Sequence, residues 1–201
     1  MKMAVLDRIL LLFTGLLAAY QVAVGIEGFS TLPIIAYTVA FGVLLVATLL
    51  LIILGFEVLD SPIVVIVSTI IPLSLSLGLV WQHRETWRFP YLIFVVLGFL
   101  AVLATRATRI HSRLPLIVLA IVHGMAGLTI FLLPVFLAIQ GAVQPLFALV
   151  GVGGALIGAG GLLLSFLKAG KPILSQALIL RVLPGLLLMM TLLFVIGFSY
   201  Q

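Results

Sequence analysis

Two ionisable side chains lie well inside apolar stretches of this chain. His123 sits in Leu114–Leu133, a run otherwise almost wholly apolar. A neutral imidazole there still needs a partner for its N–H. It either contacts a ligand, proton or cofactor, as ionisable groups within membranes commonly do, or it bonds a nearby backbone carbonyl or serine. The residues leave both readings open. Arg181 is the one formal charge well inside an apolar segment, about 15 Å along a helix counted from Lys171 at ~1.5 Å per residue. Counting from the same side brings Thr48, Ser68 and Thr69 to a similar depth. Pro72 and Pro184 each follow that level by one turn, and a proline leaves the carbonyl four residues back without its donor. The expectation is a polar layer of His123, Arg181, Ser68, Thr69 and Thr48, able to meet an anion or a headgroup through Arg181. The competing reading, which the sequence favours, is that Arg181 snorkels. Val182 to Ser199 is nearly a full span alone, and helical side chains lean toward the helix N-terminus.

Two further patterns concern packing and surface charge. Gly151, Gly154, Gly158 and Gly161 follow 3–4–3 spacing, which puts them on one helix face. Small residues so arranged let a second backbone come close. Packing within this bundle is the plainer use, and a groove for a partner helix, lipid tail, carotenoid or quinone is the sharper one. Arg106, Arg109 and Arg113 fall at i, i+3 and i+7, a basic face for lipid headgroups or a partner protein.

Other chemistries lack their residues. There is no G-x-S-x-G elbow, H-E-x-x-H or E-x-x-H pattern, phosphate loop or Lys deep in a helix. The five acids all lie at segment ends, which leaves no intramembrane aspartate pair and no buried carboxylate for proton pumping. With zero cysteines there is no disulfide and no Cys-ligated iron–sulfur cluster. His83, His111 and His123 share no depth, which disfavours a bis-histidine haem held by this chain alone. A histidine from another subunit would be needed to complete a pair. No catalytic or metal-ligating set is assigned, and the identity of any cofactor stays open.

The elements that position these residues follow from composition. Of 201 residues, 65% are hydrophobic and 7% charged, with a mean hydropathy of +1.49. A soluble domain is about 45–50% apolar and about 25% charged, so this chain cannot cover a water-facing surface. The net charge of +5 sits between apolar runs, pointing to anionic lipid and away from nucleic acid. Roughly 20 helical residues cross a bilayer core. Seven segments qualify: 4–26, 32–56, 60–81, 88–107, 114–139, 145–167 and 172–199. The fourth is the weakest, spanning only if Arg88 and Arg106 snorkel. Ser30 and Thr31 before Pro33, Asp60-Ser61-Pro62 and Gln144-Pro145 are helix starts, and Gly170 breaks the last connection. Lys2 and Arg8 precede an apolar run, but no A-x-A site follows, so the first segment reads as retained.

Lys and Arg divide unevenly between the two sides. Lys2, Arg8, Arg106, Arg109, Arg113, Lys168 and Lys171 collect on one, Arg84 and Arg88 on the other. The excess places the N-terminus in the cytoplasm. Trp81, Trp87, Tyr91 and Tyr200 then fall at the outer interface. The fold expected is all-α: a polytopic integral membrane helix bundle, one membrane domain over 1–201, with seven transmembrane helices. Three functions are ordered by what the residues support. First is a non-catalytic subunit or assembly component of a larger membrane complex, with lipids and other membrane subunits or self-association as partners. Second is a small-solute or ion transporter using the layer near His123 and Arg181. Third is a lipid- or quinone-related enzyme, which rests on His123 alone.

Overall fold

The computed structural model describes residues 3–108, 113–168 and 174–200, and among them there is no strand. Seven long helices follow one another: α1 (Val5–Val24), α2 (Thr31–Leu54), α3 (Pro62–His83), α4 (Arg88–Ala107), α5 (Leu114–Ile139), α6 (Ala148–Lys168) and α7 (Gln176–Phe198). Six of them, α1 to α5 and α7, are long and apolar enough to cross a membrane, and among the described residues of the α6 segment 145–161 is a further apolar stretch. The chain is thus a multi-pass membrane protein by the length and composition of its helices. Helices are the natural solution for such segments, because each pairs its own backbone polar groups without water.

Local chemistry sets the helix ends. Gly25 and Gly55 take φ of 75° and 77° directly after α1 and α2, and each amide closes the last turn onto the carbonyl four residues back. The second segment therefore stops at Leu54, two residues before its expected end, and Phe56–Asp60 forms a 3₁₀ turn. Pro62 and Pro115 stand in the first turns of α3 and α5, where a missing N–H costs nothing. The sixth segment opens with a 3₁₀ turn, Pro145–Phe147, before α6 begins. The seventh begins at Gln176 and not at 172, because the Ser175 hydroxyl accepts the Leu178 amide at 3.3 Å and caps the helix there. Lys2, Arg109, His111, Gly170 and Lys171 lie outside the described residues.

Consecutive helices pack on one another, α7 closes back onto α1, and α3 also packs directly on α5. The result is a ring of α1, α2, α3, α5, α6 and α7, with α4 outside it against α3 and α5. Only Gly98, Val102 and Thr105 of α4 are buried. The main core fills the end of the ring opposite the N-terminus. Tyr37 and Phe41 of α2, Phe147, and Phe194 and Phe198 of α7 meet there, several in edge-on or tilted contacts with centroids 4.6–6.4 Å apart. Such ring contacts and close van der Waals packing hold membrane helices together where lipid removes the hydrophobic drive.

Candidate functional site

The residues of the expected polar layer each turn to their own helix or outward. His123, half-buried on α5, places Nδ1 3.1 Å from the Leu119 carbonyl one turn back, a bond that sets the ring proton on Nδ1. Thr48 and Thr69 are fully buried, and their hydroxyls donate to Leu45 and Val65 carbonyls at 2.8 Å. Ser68 donates to the Val65 carbonyl at 3.1 Å. Arg181 is exposed. With α7 starting at Gln176, Arg181 is five residues into the helix, about 7.5 Å at ~1.5 Å per residue, half the depth counted from Lys171. In the ring α6 stands between α5 and α7, so His123 and Arg181 are on helices that are not neighbours.

The glycines of α6 divide between faces. A Cβ on Gly151 would stand 2.5 Å from the Phe131 carbonyl oxygen, and one on Gly154 2.6 Å from Ile130 Cγ2. These two let α5 approach. At Gly158 and Gly161 no atom lies within 4 Å of such a Cβ among the described residues. Gly153 instead faces α7, 2.8 Å from Phe194, and Gly197 of α7 returns the contact at 2.6 Å from Val150. One helix thus meets two neighbours through residues that the 3–4–3 spacing does not group. A small apolar recess of about 110 Å³ lies between α6 and α7, lined by Gly160, Leu163, Leu178, Val182 and Leu186 among others. Arg106 and Arg113 are at the N-terminal end of the bundle, Arg106 with its Nε buried and without a hydrogen-bond partner among the described residues.

The most unusual polar groups are at the opposite end, in the aromatic core. Tyr37 is 1% exposed, and its hydroxyl has no hydrogen-bond partner among the described residues. The Nε2 of His83 is likewise buried and unpartnered. Both rings touch Phe29, at centroid distances of 5.4 Å for Tyr37 and 5.9 Å for His83. Phe147 packs on His83 at 5.5 Å and Phe198 on Tyr37 at 4.6 Å. Gly78 of α3 makes room for the phenol: a Cβ there would sit 2.5 Å from Tyr37 Cε1. Beside this group, the Gln82 side-chain oxygen accepts from the Ser30 amide at 3.2 Å and its hydroxyl at 3.4 Å, tying the start of α2 to the end of α3.

The sequence reading passed over Tyr37, one aromatic among many, and considered His83 only as a haem ligand. No signal in the sequence marks Tyr37: the register of α2 against α3, held by the Ser30–Gln82 pairing, is what places it next to Gly78. A second polar link joins the outer helix to the ring. Tyr91 of α4 donates to Thr129 Oγ1 on α5 at 3.0 Å, and Thr129 in turn donates to the Met125 carbonyl. On the same end Arg88 holds the Trp81 carbonyl at 2.6 Å and pairs with Glu85 at 3.0 Å. Compared with known protein families, curated proteins and solved structures, the chain matches none of them.

Proposed function

We propose that this protein is a non-catalytic membrane component, a subunit or assembly factor of a larger membrane complex. One observation carries the reading. The buried hydroxyls of Thr14, Thr48, Thr69, Ser76, Thr105 and Thr191 all donate to carbonyls three or four residues back in their own helices. A solute path needs polar groups turned toward a shared lumen. Groups satisfied within their own helix serve packing instead. All seven helices cross the membrane in this reading, with the N-terminus and the basic end at the cytoplasmic face. The partners are lipids and other membrane helices, and nucleic acid is not among them.

The test is purification in mild detergent without crosslinking, followed by sizing and identification of every chain present. Reproducible, stoichiometric co-migration with the same membrane partner supports the reading. A lone 21.5 kDa chain that moves a solute or ion in reconstituted liposomes overturns it.

A further inference from the structure

We infer that Tyr37 and His83 together bind one water molecule between the Tyr37 hydroxyl and His83 Nε2, in a site walled by Phe29, Phe147 and Phe198. A buried hydroxyl or ring nitrogen with no partner carries the full cost of lost hydration, so native interiors pair such groups or bridge them with ordered water. Here two of them occur in one aromatic cluster, each against the ring of Phe29.

Helix direction brings them toward each other. Side chains lean toward the N-terminus of their helix. Tyr37, in the second turn of α2, therefore leans toward the end of the bundle where α3 finishes. His83, the last residue of α3, leans back into the bundle. Both are anchored: the phenol lies against Gly78, and the end of α3 is tied to Ser30 through Gln82. The guest must be small, because the phenol ring has no space on its α3 side and Phe147 and Phe198 are almost wholly buried. It must be neutral, because among the described residues the rings that wall the cluster carry no charge and the neighbouring Arg84 turns its guanidinium onto the Phe136 ring, 5.5 Å from its centroid. It should be able both to donate and to accept, because such a guest satisfies the phenol and the imidazole nitrogen whichever role that nitrogen takes. Water meets all three conditions. It would join α2 to α3 by a bridge deeper than the Ser30–Gln82 pairing.

The experiment compares thermal unfolding of the full chain in detergent for wild type, Tyr37→Phe, His83→Leu and the double variant. Tyr37→Phe keeps the ring and its packing. A bridging water predicts that it melts several degrees below wild type, and that the double variant melts little lower than His83→Leu. A Tyr37→Phe protein as stable as wild type or more so overturns the inference, since removing an unpartnered hydroxyl relieves a penalty. Additive losses overturn it too. Nuclear magnetic resonance of ¹⁵N-histidine-labelled wild-type protein supplies the second readout. The expected result is a cross-peak between water and the His83 ring that disappears in Tyr37→Phe. Coupled stabilities without that cross-peak mean a direct Tyr–His bond and sink the water site.

Discussion

Replacing Gly151 and Gly158 with alanine separates a glycine that two helices need from one they do not. The new methyl at 151 would lie 2.5 Å from the Phe131 backbone oxygen and 2.6 Å from Val135 Cγ2. Comfortable contact is about 3.5–4.0 Å, so α5 and α6 must part by roughly 1 Å. No rotamer change relieves it, because the nearest atom is backbone. Overpacking of this kind costs about 1–3 kcal/mol. At 158 the methyl meets no atom within 4 Å among the described residues. Both variants gain the same helix preference of alanine over glycine, about 1 kcal/mol. That gain cancels in the comparison and leaves the overpacking cost as the difference. The assay is thermal unfolding followed by helical circular dichroism in detergent, on variants shown to insert into membranes. At roughly 2–4 °C per kcal/mol for a chain of this size, Gly151→Ala melts several degrees below Gly158→Ala. Gly158→Ala melts at or slightly above wild type. Equal melting of the two variants would refute the packing of α6 against α5 described above.

Four other outcomes are expected. Gly78→Ala destabilises by about 1–3 kcal/mol through its collision with the buried Tyr37 ring, and Gly78→Ala combined with Tyr37→Leu recovers part of the loss in the same melt. Gln82→Leu costs about 0.5–1.5 kcal/mol by removing the acceptor for Ser30, visible as faster amide exchange at the start of α2. Arg181→Lys melts within about 0.5 kcal/mol of wild type, as substitutions at exposed positions do, and Lys also reaches an interface. Topology reporters fused after Tyr200 and within 107–113 report opposite sides, and a same-side result removes one of the seven crossings.

Some of this protein was determined by its sequence alone. Segments as apolar as Thr31–Leu54 or Leu114–Ile139 must satisfy their backbones internally and must be about 20 residues or longer to cross lipid. Their helical state and approximate bounds follow from composition and from punctuation such as Pro33, Pro62 and Pro145. Neighbourhood does not follow, because lipid-facing and bundle-facing leucines look alike along a chain. Only tertiary packing put α3 against α5, left α4 outside the ring, and split Gly151 and Gly154 from Gly158 and Gly161. The polar residues divided for the same reason. Thr48, Thr69 and His123 count to one depth, yet each side chain found a carbonyl of its own helix, a choice fixed by local geometry and not by depth. Tyr37 and His83 lie 46 positions apart, and nothing in either segment marks them as a pair. They share a site because antiparallel α2 and α3 lean their side chains toward one another, and because Gly78 leaves the phenol its place.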